Sequence, residues 1–284
     1  MNSLTRDLLV ICCVGLVAAS AQAQDAKHGQ YLAAAAGCAG CHTEEKKDAV
    51  PFAGGRALKT PFGTFFGPNI TPHPQAGIGA WSEADFIRAL REGTRPDGAH
   101  YYPAFPYPSF TKIVDADLRD LYAYLRSLPP NARASQPHDL KFPFNFRFLN
   151  MIWKWLFFTP GPFVPDASKS QEINRGAYLV QALAHCSECH TPRNFLGASK
   201  RDRFLAGGKT PDDKAIPNIT PTRLKKMSDS ELIQYLQTGL TADGDVAAEP
   251  MSEVISNTLA KLTTPDINAL VGYLRTLLPL PEEK

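Results

Sequence analysis

Two short stretches of the chain share one pattern: Cys38-Ala-Gly-Cys41-His42 and Cys186-Ser-Glu-Cys189-His190. Cys-x-x-Cys-His is the attachment signal of a c-type haem. Each thiol adds across one vinyl group of the porphyrin, and a two-residue gap lets both reach the same ring. The histidine that follows lies under the iron and supplies its proximal nitrogen. Three other chemistries use paired cysteines. A thioredoxin-like thiol pair needs no histidine and opens a helix after a strand. A zinc site would draw both pairs into one set, and they lie too far apart for the compact spacing of ribbons and fingers. Structural disulfides need no adjacent histidine either. Two independent copies of the five-residue pattern favour two covalently attached haem c groups, with His42 and His190 as iron ligands.

The chain has six cysteines, and the other two, Cys12 and Cys13, lie in a different context. Arg6 stands in a short polar start, an apolar run extends from Leu8 to Ser20, and Ala21-Gln22-Ala23 follows as a small-x-small cleavage signal. Residues 1–23 read as a secretory signal peptide, cut before Gln24. The run is shorter than the roughly 20 apolar residues that a membrane-spanning helix needs. The expected mature protein is therefore periplasmic, with no transmembrane segment and no cysteine outside the two pairs. The chain of 284 residues is long enough for two domains of ordinary size. A hydrophobic fraction of 44% and a charged fraction of 20% are those of a globular protein. A formal net charge of +2 gives no support for nucleic-acid binding.

The elements around the two signals repeat. Gly29-Gln-Tyr31-Leu32 precedes the first and Gly176-Ala-Tyr178-Leu179 the second. Ala53-Gly54-Gly55 recurs as Ala206-Gly207-Gly208, and Pro68-Asn69-Ile70-Thr71-Pro72 as Pro217-Asn218-Ile219-Thr220-Pro221. Each half ends on Tyr-Leu-Arg, at residues 124–126 and 273–275. The halves are homologous, each carrying one attachment signal. Residues 27–36 and 171–184 are expected as helices leading into the haem turns. Ser82 and Ser228 each have an acidic residue three places on, the start of a capping box. Leu118, Leu121, Tyr122 and Leu125 share one helical face, as do Ile267, Leu270, Val271 and Leu274. Thr264-Pro265 suits an N-cap followed by proline. No stretch alternates as a strand, so the expected fold is all-α.

Further residues make the pattern more specific. Pro68-Asn-Ile-Thr-Pro, Gly77-Ile-Gly-Ala-Trp81-Ser82, Arg88-Ala-Leu-Arg-Glu-Gly93 and Pro96-Asp-Gly98 lie in the first half. Asn174-Arg-Gly-Ala-Tyr-Leu179, Cys189-His190-Thr-Pro-Arg-Asn194 and Leu205-Ala-Gly-Gly208 lie in the second. With these the sequence resembles the diheme cytochrome c family related to the cytochrome subunits of periplasmic alcohol, gluconate and aldehyde dehydrogenases. The resemblance implies two tandem class I cytochrome c domains, 24–130 and 171–284, joined by a linker over 131–170. It also implies electron donor and acceptor proteins as partners, with a periplasmic dehydrogenase as donor. Those subunits commonly carry a third haem and a C-terminal membrane segment, and this chain has neither signal.

The resemblance puts an axial methionine in a loop near the end of each half. In the second half that position is Met251, seven residues after Gly244, so the second haem is expected as His190/Met251. In the first half the count from Gly98 gives Phe105, which cannot bind iron. Three outcomes stay open there: a five-coordinate iron, ligation by His100, or a phenolate from Tyr101 or Tyr102, with His73 a further candidate. Met227 reads as a packing residue, and Met151 falls in the linker. His28 and His138 are expected at the surface, and His185 is too close to Cys186 to reach the same iron.

The linker crowds Phe142, Phe144, Phe146, Phe148, Trp153, Trp155, Phe157 and Phe158 into one stretch. Lys141, Arg147 and Lys154 interrupt it, so it does not span a membrane. Its expected role is to pin the linker across both domains; a docking patch is the alternative. Two functions compete for the whole chain. One is electron transfer between a dehydrogenase or other donor and a respiratory acceptor. The other is an open catalytic or gas-binding centre at the first haem, fed by the second. Only His100, Tyr101, Tyr102 and Arg95 lie near enough in sequence to serve such chemistry, and they form no recognisable acid–base set. Electron transfer is the favoured reading.

Overall fold

The computed structural model describes residues 24–282, and the signal-peptide expectation over residues 1–23 lies outside them. The first half opens with α1 (Ala26–Ala35) and the one-turn α2 (Cys38–His42). A hairpin of β1 (Ala57–Thr60) and β2 (Gly63–Phe66) follows, then α3 (Glu83–Glu92), the short α4 (Tyr107–Phe110) and α5 (Asp115–Ser127). A connecting segment holds β3 (Asp139–Leu140) and α6 (Leu149–Phe157). The second half opens with α7 (Gln171–Tyr178), which runs on as a π-helical turn over Leu179–Leu183, and α8 (Ser187–His190). A two-residue hairpin of β4 (Gly208–Lys209) and β5 (Ala215–Ile216) precedes α9 (Pro221–Leu224), α10 (Asp229–Thr238), α11 (Met251–Asn257) and α12 (Thr264–Thr276).

The fold is mostly helical, and the expected absence of strands is corrected by these hairpins. β1 and β2 pair antiparallel from Ala57 against Phe66 to Thr60 against Gly63, around a turn at Pro61-Phe62. β3 adds a third strand to β2. Strands of two to four residues are too short to reveal an alternating pattern.

Local chemistry explains the helix starts. Asp25 accepts hydrogen bonds from the N–H groups of Lys27 and His28 at the start of α1. Reciprocal capping boxes, Ser82 with Asp85 and Ser228 with Glu231, open α3 and α10. Thr263 caps α12 by accepting from the Asp266 N–H, so the cap lies one residue before the expected Thr264.

In each half the first long helix crosses the last at a glycine. A Cβ on Gly29 would lie 1.9 Å from the Asp120 carbonyl oxygen, and one on Gly176 would lie 1.9 Å from that of Ala269. No other residue permits backbones to approach so closely. The crossings bury Leu32, Leu118, Leu121 and Leu125 in one half, and Leu179, Ile267, Leu270 and Leu274 in the other. All of them belong to one continuous apolar cluster.

A reciprocal polar exchange joins the halves. The Tyr178 hydroxyl of α7 donates to Asp117 of α5 at 2.6 Å and accepts from the Val114 N–H. The Tyr31 hydroxyl of α1 donates to Asp266 of α12 at 2.5 Å and accepts from the Thr263 N–H. The four side chains occupy equivalent places in the repeat.

The segment over 131–170 touches both halves. Phe144 packs edge-on to Phe62 with ring centroids 4.7 Å apart. Lys154 donates to the Gly93 carbonyl, the Trp153 indole donates to the Leu196 carbonyl, and Arg201 donates to that of Phe157. The aromatics divide: Phe142, Phe148 and Trp155 are 79%, 60% and 83% exposed, and the rings of Phe142 and Phe148 meet that of Phe146 within the same segment. No helix among the described residues is long and apolar enough to cross a membrane.

Candidate haem sites

One helical turn separates the two cysteines of each pair: α2 carries both Cys38 and Cys41, while Cys189 lies in α8 and Cys186 is the helical-conformation residue that caps it. All four thiols are free. Burial pushes Cys38 and Cys186 up to about 12 and raises Cys41 and Cys189 as well. Glu253 and Cys189 of the other half add to the rise at Cys41. The two attachment turns therefore lie close enough to influence each other.

The histidines are held alike. His42 Nδ1 donates to the Pro68 carbonyl at 2.7 Å and His190 Nδ1 to that of Pro217 at 2.8 Å. A carbonyl only accepts, so each imidazole carries its proton on Nδ1 and presents the Nε2 lone pair. Burial lowers the pKa of both rings and keeps them neutral. A buried asparagine fixes each proline loop. Asn69 Oδ1 accepts from the Thr71 N–H and hydroxyl, and its amide donates to the Asn131 and Arg133 carbonyls. Asn218 Oδ1 accepts from the Thr220 N–H and hydroxyl, and its amide donates to the Leu280 carbonyl. Such outer partners orient a ligating ring and raise its basicity.

These residues fit a covalently bound haem. Among the described residues no three Cys, His, Asp or Glu side chains converge as a bare metal ion requires, whereas thiols and imidazole held apart on one turn suit a broad planar ring. The Arg56 Nε and Tyr107 hydroxyl are buried without partners. Arg56 is near enough to Cys41 to lower its pKa, and a carboxylate-bearing ring at that turn would offer its Nε–H an acceptor.

The distal segments run in register. Gly98 and Gly244 both adopt left-handed backbone, at φ +82° and +86°. Tyr101 N–H donates to the Gly93 carbonyl as Ala247 N–H does to that of Gly239. Seven residues after the glycine stand Phe105 and Met251 respectively. Met251 begins α11 rather than lying in a loop, a correction to the expected setting, and it packs partly buried against the core. Phe105 sits among Tyr101, Phe110 and Tyr107, with ring centroids 5.2, 5.8 and 6.4 Å away.

His100 is turned to the connecting segment. Its Nδ1 accepts from Lys154 Nζ at 2.9 Å, and its carbonyl accepts from Arg147. His73 Nδ1 accepts from the Ala76 N–H within its own turn. Burial pushes Tyr101 up to about 12 and raises Tyr102, whose hydroxyl donates to the Asn145 carbonyl. His28 pairs with Asp120 at 2.8 Å. His138 is half-buried rather than free at the surface: it packs against Phe65 and Tyr102 and accepts from the Phe66 N–H. His185 Nδ1 donates to the Leu183 carbonyl. Met227 is partly buried against the core, and Met151 is exposed.

Each distal segment packs on the other half's attachment turn. Ser109 of α4 donates to Glu188 of α8 at 2.6 Å, and Phe110 meets the His185 ring edge-on at 5.2 Å. Glu253 of α11 pairs with Arg56 at 2.8 Å, beside α2. Neither this exchange nor the Tyr–Asp pairs were foreseen from the sequence; the recurrence of Tyr31 as Tyr178 was their only visible signal.

Residues 26–129 match the cytochrome c family model. Over 255 residues the chain is 44% identical to a diheme cytochrome c-type protein of Cereibacter sphaeroides, covering 88% of this chain and 85% of that one. It is 44% identical over 264 residues to the fructose dehydrogenase cytochrome subunit of Gluconobacter japonicus, covering 91% of this chain and 54% of that subunit. It is 37% identical over 271 residues to the gluconate 2-dehydrogenase cytochrome c subunit of Pantoea cypripedii, covering 90% of this chain and 60% of that subunit. The chain thus spans most of the first relative and little more than half of the other two. With both attachment turns in place and a relative matched across most of its length, the chain belongs to the diheme cytochrome c family.

Proposed function

We propose that this chain carries two haem c groups and passes electrons between a dehydrogenase or other donor and a respiratory acceptor in the periplasm. The first group would be held by Cys38 and Cys41 with His42 as an iron ligand, and the second by Cys186 and Cys189 with His190 and Met251 as iron ligands. In this reading 24–130 and 171–284 are tandem class I cytochrome c domains, 131–170 is the aromatic linker between them, and 1–23 directs export. The observation that carries it is the matched pair of turns, each with two free thiols and a histidine whose Nδ1–H is tied to a proline carbonyl.

The haem iron supplies one-electron chemistry over a range of potentials set by its axial ligands. The chain's part is to orient the ligands and hold the two sites together. Pro68 and Pro217 fix the histidine tautomer, and Asn69 and Asn218 fix the prolines. The reciprocal contacts of α4 with α8 and of α11 with α2 favour exchange between the sites. A dehydrogenase as donor is supported by two of the relatives, the cytochrome subunits of fructose dehydrogenase and gluconate 2-dehydrogenase. Coulometric titration of the exported holoprotein tests the reading. Uptake of two electrons per chain, reversible by respiratory membranes, is expected; uptake of one electron, or no reoxidation by those membranes, overturns it.

A further inference from the structure

We infer that Phe105 leaves the first haem of the proposed pair without a sixth ligand from the protein, so that this site takes a small neutral diatomic ligand. The inference rests on the two-haem reading above and adds a binding site to it. Three observations converge. Phe105 stands in the register of Met251: the turns before them match in glycine conformation, and the hydrogen bonds Arg95 N–H to Ala99 and Thr241 N–H to Asp245 are the same bond in the two halves. The residue offers only ring carbon, and its neighbours are the rings of Tyr101, Tyr107 and Phe110. An aromatic surround suits an uncharged ligand over an anion.

His100 is withheld by its tautomer. An ammonium has no acceptor, so the nitrogen facing Lys154 at 2.9 Å must accept, and the neutral ring then carries its proton on Nε2. Binding iron through Nε2 would move that proton to Nδ1, against the Lys154 charge. Lys154 is itself anchored, donating to the Gly93 carbonyl and the Thr94 hydroxyl. His42 and His190 show the opposite arrangement, with Nδ1 donating and Nε2 free. His73 has its Nδ1 occupied as an acceptor in the same way as His100.

The test is carbon monoxide titration of the reduced full-length holoprotein, after its haem content has been counted as the pyridine haemochrome. One carbon monoxide per two haems is expected. Phe105→Met is expected to weaken binding at least tenfold, and His100→Ala to leave it unchanged. In the ferric wild type, electron paramagnetic resonance is expected to give one high-spin and one low-spin signal. No binding by the wild type with binding gained in His100→Ala overturns the inference, as does a wild type with two low-spin signals. A haem count below two overturns the two-haem reading instead. Met251→Ala separates the sites: a second carbon monoxide then binds if Met251 closes the second haem.

Discussion

Replacing Tyr178 with phenylalanine removes one oxygen from the contact between the halves, and the structure sets the cost. The hydroxyl donates to Asp117 at 2.6 Å, and both residues are under a tenth exposed. A hydrogen bond to a charged group contributes about 1.5–3 kcal/mol, and a buried carboxylate left without its donor adds a desolvation penalty. The Val114 N–H also loses its acceptor, though at 3.3 Å that bond is long. The expected loss is about 2–3 kcal/mol, which corresponds to a fall in Tm of about 4–12 °C for a chain of this size. Tyr31→Phe is the equivalent change in the other half and should cost only about 1 kcal/mol. The difference lies in the acceptor: Asp266 is also held by Arg175, through bonds of 2.8 and 2.7 Å to its two oxygens. Denaturant unfolding of both variants as holoproteins gives the comparison. Equal losses, or a larger loss in Tyr31→Phe, would refute the reasoning that local partners break the symmetry of the exchange.

Asn218→Ala removes two accepted bonds and one donated bond from a fully buried position. It should cost about 3 kcal/mol in unfolding experiments. Potentiometry should show the second haem's potential rising, because a loosened Pro217 carbonyl makes the His190 imidazole less basic. Burial raises the Asp266 pKa, while the Arg175 and Tyr31 hydrogen bonds lower it further, and the net shift is downward from its ordinary 3.8. A depressed native pKa contributes stability that is present above 3.8 and lost as the pH falls through the native value. Arg175→Gln should flatten that acid limb of the stability curve; an unchanged acid limb would show that the pair contributes nothing there.

Much of the site was legible because its chemistry is local. The Cys-x-x-Cys-His turns, the serine capping boxes and the buried stripes of α5 and α12 each need only a few neighbouring residues to declare themselves. The proline carbonyls behind the histidines were visible as a repeat, and the structure gives the hydrogen bonds. Features that depend on distant partners were not legible. The state of His100 depends on Lys154, and the partial burial of His138 depends on Phe65 and Tyr102. The Tyr–Asp exchange depends on two halves meeting face to face. The β1–β2 hairpin is not legible because four-residue strands carry too little pattern, and the resemblance that places Met251 in a loop carries no signal for the seven-residue helix it begins.

The central claim is that each Cys-x-x-Cys-His turn holds one covalent haem. Intact-mass measurement of the exported protein, denatured so that only covalent groups remain, tests it most directly. The account predicts two haems on the wild type and one on the Cys186→Ala/Cys189→Ala variant. A wild type carrying one haem or none, or a variant that still carries two, would contradict it.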